Sequence, residues 1–114
     1  PLLWMGNSKK DLRCMPPPVV DVFGYALYLA QAGGRHPDAK ALQGFGGASV
    51  VEVVRSHDRR TYRLVYSVGF QEAVVVLHAF QKKSKTGIAT PRPDIAVIRD
   101  RLKAARNLLR KPRT

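Results

Sequence analysis

The chain has 114 residues, 45% of them hydrophobic, and its 20 Lys and Arg outweigh 8 Asp and Glu to give a net charge of +12. That length supports one domain, residues 1–114, with one modest core, and the hydrophobic fraction excludes wholesale disorder. The single cysteine, Cys14, excludes an internal disulfide and suits a reducing compartment. No apolar run approaches the roughly 20 residues that span a bilayer and no secretory leader is visible, so the sequence reads as a soluble cytoplasmic protein with no membrane partner.

Leu2-Leu3-Trp4-Met5 is a short apolar run that suits an opening strand. Ser8-Lys9-Lys10-Asp11 has the form of a capping box and predicts a helix start. Pro16-Pro17-Pro18 ends that helix and can open the next, which is expected to run to about Ala32 and stop at Gly33-Gly34. Apolar residues cover most of its surface, so it is expected to be buried on more than one side or covered by a partner. Residues 35–47 read as a linker. Val50–Arg55, Tyr62–Val68 and Ala73–Phe80 are rich in Val and Tyr and predict three strands in hairpins or a meander, with turns over Ser56–Thr61 and Gly69–Glu72. Lys82–Pro93 is a polar loop. Thr90-Pro91 and Pro93-Asp94 give start signals for a last amphipathic helix with Ile95, Ile98, Leu102, Ala105 and Leu109 on one face. The expected fold is α+β, a small antiparallel sheet with two N-terminal helices and one C-terminal helix packed on one face.

Charge is unevenly spread. Residues 58–114 carry fourteen basic and four acidic side chains, against six and four in residues 1–57. Such an imbalance is the footprint of a polyanionic partner. There is no phosphate-binding Gly-x-x-x-x-Gly-Lys-Ser/Thr loop, no Cys/His set with zinc spacing and no pair of carboxylates placed for a shared metal. The reading therefore calls for neither metal nor cofactor, and leaves any chemistry to Lys, Arg, His, Tyr and Ser.

Metal-free RNA cleavage fits that restriction. The 2′-hydroxyl is an internal nucleophile, and the protein need only align the strand, move protons and steady the charge on the phosphate. In Thr61-Tyr62-Arg63-Leu64-Val65-Tyr66 the alternation of a strand sets Arg63 opposite the tyrosines. It is placed either to clamp a phosphate or simply to sit on a solvated sheet face. In Gln81-Lys82-Lys83-Ser84-Lys85, three neighbouring ammonium groups disfavour one another's charge, so one lysine is a candidate acid or base; a merely basic loop is the alternative. His78 reads as a packed strand histidine and His57 as an exposed turn residue.

Tyr62-Arg63-Leu64-Val65-Tyr66, the apolar Val74–Phe80 with Lys82-Lys83-Ser84-Lys85-Thr86 behind it, and Leu42-Gln43-Gly44 resemble motifs of the RelE/ParE toxin superfamily, and most of all its phage-derived HigB-like branch. The resemblance covers nearly the whole chain and implies a RelE-like fold. It also implies the toxin of a type II toxin–antitoxin pair, a ribosome-dependent endoribonuclease that needs no metal and cuts messenger RNA. Its partners would be messenger and ribosomal RNA and a cognate antitoxin, such as a HigA-like helix-turn-helix protein. Arg63 would steady the phosphate, Lys83 would be a second catalytic cation flanked by Lys82 and Lys85, and Arg55, Arg59, Arg60, Lys82, Lys85 and Arg92 would bind RNA. Arg63→Ala and Lys83→Ala would then relieve growth inhibition and leave the fold intact. The strand Val50-Val51-Glu52-Val53-Val54 lacks the family's lysines, and Ala89 and Thr90 stand near a position where it often has Tyr or His. The proton-transfer residue is left unassigned. A gyrase-binding toxin of the ParE kind, or a basic phage-derived RNA-binding protein, are the alternatives.

Overall fold

The three valine- and tyrosine-rich segments pair as a meander of strands. They are preceded by a short strand and two helices, and followed by a long helix. The computed structural model describes residues 1–47, 49–82 and 90–109. In chain order these form β1 (Leu2–Trp4), α1 (Ser8–Arg13), α2 (Pro17–Gln31), β2 (Lys40–Ala41), β3 (Val50–His57), β4 (Arg60–Ser67), β5 (Val74–Lys82) and α3 (Arg92–Leu108). The sheet order is β1-β5-β4-β3-β2. β3, β4 and β5 are antiparallel neighbours, and β2 adds antiparallel to β3 inside the stretch expected to be a linker. β1 lies parallel to β5, with Leu2 opposite Val74 and Trp4 opposite Val76, so the sheet is mixed and not wholly antiparallel.

The α+β class holds, but the expected one-sided packing does not. Leu12 of α1 and Val19, Phe23, Ala26 and Leu27 of α2 pack on Val51, Val53, Tyr62, Leu64, Tyr66 and Val76. Ile98, Leu102 and Ala105 of α3 pack on Val50, Val65, Val75, Leu77 and Phe80 on the opposite face. The physical reason lies in β5. Val74-Val75-Val76-Leu77 is apolar at both parities, the pattern of a strand covered on two sides.

Local chemistry sets the element ends. The β3–β4 ladder runs to His57 opposite Arg60, leaving a turn of two residues, Asp58 and Arg59, both at positive φ (50° and 66°) as a type I′ hairpin requires. The strands thus reach further into Ser56–Thr61 than composition suggested, and His57 ends β3. The predicted capping box is not formed. Asn7 is the residue before α1, and the buried Ser8 donates its hydroxyl to the Val76 carbonyl at 3.4 Å, tying α1 to the sheet. At the end of α2, Gly33 at φ 84° lets the Gly34 amide reach back to the Leu29 carbonyl at 2.7 Å, as a glycine C-terminus predicts.

One irregularity positions the site. Val65 pairs with His78 but Tyr66 pairs with Val76, so Leu77 is an extra residue in β5. The bulge turns Leu77 and His78 both toward α3.

Arg59 is a poor residue for its backbone conformation, and glycine is the usual choice there. Arg59→Gly should stabilise the fold by about 1 kcal/mol, read as a rise of a few degrees in the thermal midpoint. An unchanged or lower midpoint would contradict the turn geometry.

Candidate active site

Arg63 alternates with Tyr62 and Leu64 and faces α3, as its strand parity predicts. It does not sit on a solvated sheet face. Only 3% of it is exposed, and its Nη1 donates to Glu52 Oε2 at 3.0 Å and to Thr90 Oγ1 at 3.0 Å. The Thr90 hydroxyl in turn donates to the same Glu52 oxygen at 3.5 Å, closing a triangle. Glu52 reaches Arg63 because the β3–β4 register sets Glu52 opposite Val65 and Val54 opposite Arg63, on one face and one step apart. Thr90 comes from the segment that leads into α3.

These three side chains line a cleft of about 500 Å³, within the range of small-ligand sites. Lys40, Leu42 and Gln43, from β2 and the turn after it, form one wall, and Ile95 of α3 borders the other. α3 packs against β5, and its N-terminal end leaves the polar patch of the sheet open. Lys82 shares the face of Phe80 and lies opposite Thr61, two residues along from Arg63. Its ammonium is held below the ordinary lysine range, by burial first and by the Arg63 guanidinium second, with Glu52 acting the other way. The like-charge argument made for the lysine cluster is thus met at Lys82, with desolvation as the larger cause.

Sequence reasoning grouped Arg63 with Lys82, and the structure sets both on the α3 face. It did not separate the other cations. Arg55 and Arg60 share the strand parity of Val53 and Tyr62 and so lie on the α2 face, away from Arg63; Arg59 is in the hairpin turn, and Arg92 is exposed at the first residue of α3. Lys83 and Lys85 lie outside the described residues. Two members of the cluster were missed, Glu52 and Thr90. A signal for Glu52 was present, because a lone carboxylate within Val50–Val54 of a strongly basic chain is buried with a cation or not at all. Arg63→Ala is also not the neutral probe expected, since it strands the Glu52 carboxylate, 8% exposed, at a cost of about 3–5 kcal/mol.

Other titratable groups are placed for structure. Tyr62 and Tyr66 are in the α2-side core, and burial pushes the Tyr66 hydroxyl above its ordinary range. His78 is packed, as expected, stacking on Phe80 with ring centroids 4.4 Å apart. Its Nε2 meets Asp94 Oδ1 at 2.9 Å, and its Nδ1 lies 3.4 Å from Arg101 Nη1, which donates to the Leu77 carbonyl at 2.9 Å. Both ring nitrogens are engaged, and the network pins α3 to the β5 bulge. Arg101 also lies so close over Gly6 that a Cβ there would meet its guanidinium at 2.6 Å. Among the described residues no three His, Cys, Asp or Glu side chains gather as metal ligands would, and no helix is long and apolar enough to cross a membrane.

The chain matches the model of a known protein family. The model of the family described as "Phage derived protein Gp49-like (DUF891)" covers residues 10–103. No curated protein matches the chain.

The His78 network has a pH signature. Burial, outweighing Asp94, lowers the folded-state pKa of His78 below its ordinary 6.5. The unfolded chain therefore takes up the proton first as pH falls. This contribution to stability is complete above about pH 6.5 and is lost as pH drops through the lower folded-state value. The thermal midpoint should fall between pH 7 and pH 5, and His78→Gln should flatten that slope. An equally steep slope in His78→Gln would contradict the assignment.

Proposed function

Because the chain belongs to the phage-derived Gp49-like family, a family of RelE/toxin-like proteins, we propose that it is the toxin of a type II toxin–antitoxin pair. Its proposed activity is HigB-like: a metal-independent endoribonuclease that cuts messenger RNA on the ribosome, in the cytoplasm. The single observation that carries the reading is the Glu52–Arg63–Thr90 triangle at the floor of an open cleft, with the pKa-lowered Lys82 beside it. These are the groups that an in-line attack by a 2′-hydroxyl requires. Arg63 meets the charge that builds on the phosphoryl oxygens. Lys82, whose proton is easier to release than that of an ordinary lysine, gives it to the departing 5′-oxygen.

The substrate is drawn in by charge. The β3–β4 hairpin projects Arg55, Arg59 and Arg60 around its tip, Arg92 is exposed at the start of α3, and the chain carries +12 overall. Contacts to several phosphates make binding steeply salt-dependent, with a slope of about −0.7 for each contact on a single strand. The protein partner in this reading is a cognate helix-turn-helix antitoxin. Tyr25 and Tyr28 are exposed and stacked on α2, a helix without a single Lys or Arg. In so basic a chain that face suits an apolar helix of a protein and not a nucleic acid.

The test is cleavage of a message on programmed ribosomes by purified full-length chain. Wild type should give discrete, translation-dependent cuts, and Lys82→Met should cut at least about 100-fold more slowly while melting at a similar temperature. Intact messages with wild type would contradict the proposal, and inhibited DNA supercoiling in their place would point to a gyrase-binding toxin.

A further inference from the structure

We propose that Glu52 is the general base of the cleavage step, taking the proton of the attacking 2′-hydroxyl on its Oε1; the inference rests on the ribonuclease reading above. Three observations carry it. The first is position: Glu52 is the one carboxylate among the described residues that line the cleft. The second is orientation. Both hydrogen bonds to its carboxylate, from Arg63 and from Thr90, end on Oε2. Oε1 is left with no hydrogen-bond partner among the described residues, on a side chain fixed by its two anchors and 11% exposed. An anchored carboxylate with one uncommitted oxygen is the geometry a proton acceptor needs.

The third observation is that a charge at this position is not what the packing of its strand calls for. Glu52 interrupts a strand of valines, Val50 to Val54, whose other members pack in the two cores or border the cleft. Apolar residues of similar size in place of a buried ion pair are commonly neutral or stabilising. Among the described residues, the histidine and the two tyrosines of β4 and β5 are committed elsewhere. His78 holds Asp94 with one nitrogen and faces Arg101 with the other, while Tyr62 and Tyr66 lie in the core of the opposite face.

The step balances without a co-reactant. The 2′-O–H bond breaks and its proton goes to Glu52 Oε1. The 2′-oxygen forms a bond to phosphorus as the bond from phosphorus to the 5′-oxygen breaks, and that oxygen takes a proton from the Lys82 ammonium. The products are a 2′,3′-cyclic phosphate and a 5′-hydroxyl. Proton exchange with water then restores Glu52 and Lys82. Glu52 and Arg63 divide the work, the carboxylate holding the guanidinium in register and accepting the proton, the guanidinium facing the phosphate.

Glu52→Gln keeps the shape and an oxygen for Arg63 but removes the proton acceptor. On programmed ribosomes with full-length chain in excess, its single-turnover cutting rate should fall at least about 100-fold, while its affinity for the ribosome stays at the wild-type value. Glu52→Asp, with the carboxylate drawn back by one methylene, should cut at a rate between the two. Wild-type cutting by Glu52→Gln overturns the assignment, and faster cutting does so too, since it would make Glu52 a brake on Arg63. Should Glu52→Gln fail to fold, Glu52→Asp decides: a reduced but measurable rate supports the base, and an undiminished rate overturns it. If wild type itself leaves every message whole, the ribonuclease reading falls first, an outcome distinct from any difference among the variants.

Discussion

A carboxylate and a guanidinium buried together on the α3 face of the sheet, Glu52 and Arg63 at 3.0 Å, set the terms for everything around them. Neither charge is tolerable there alone, because removing an ion from water costs several kcal/mol even after relaxation. The β3–β4 register must hold them one step apart, Thr90 must arrive to complete the triangle, and the end of α3 must leave the patch open. The tight two-residue turn at Asp58 and Arg59 supports the first of these requirements, since a slip of one residue in the hairpin would set the two side chains on opposite faces of the sheet.

The other requirements are met through β5. Its extra residue, Leu77, aims two successive side chains at α3, one apolar and one polar. Leu77 joins the α3-side core, and His78 takes hold of Asp94 in the first turn of α3. Arg101, pressed over Gly6 and bonded to the Leu77 carbonyl, ties the same helix to the start of the chain. Thr90 precedes Asp94 by four residues, so this network also fixes where its hydroxyl lies. His78, packed and engaged at both ring nitrogens, thereby serves to position the segment that contributes to the cleft.

Much of this was legible in the chain itself. Except for β2, the elements, their order and the parity that sets Arg63 against the tyrosines follow from periodicity and from proline and glycine punctuation. β1 was visible as an apolar run, but its parallel pairing was not, because pairing partners of such short strands are fixed by tertiary packing. The two-sided core was written in the unbroken apolar stretch of β5 and was passed over in favour of a simpler layering. The cleft was half legible. Arg63 and Lys82 announce themselves as cations on a strand, whereas Glu52 looked like a departure from the expected lysines. Its meaning comes only from the hairpin register that joins it to Arg63. Thr90 was legible as a helix-start residue and not as a member of the cleft, since a hydroxyl becomes informative only when a partner is found for it.

The central claim is that a carboxylate, a guanidinium and an ammonium on a rigid sheet drive attack by the RNA's own 2′-hydroxyl. The most direct measurement is the chemistry of the ends of message fragments produced by the wild-type chain on the ribosome. The account predicts 2′,3′-cyclic phosphate on the upstream fragment and a 5′-hydroxyl on the downstream one. A 3′-hydroxyl facing a 5′-phosphate would mean that water, and not the ribose, attacked the phosphorus, and would contradict it.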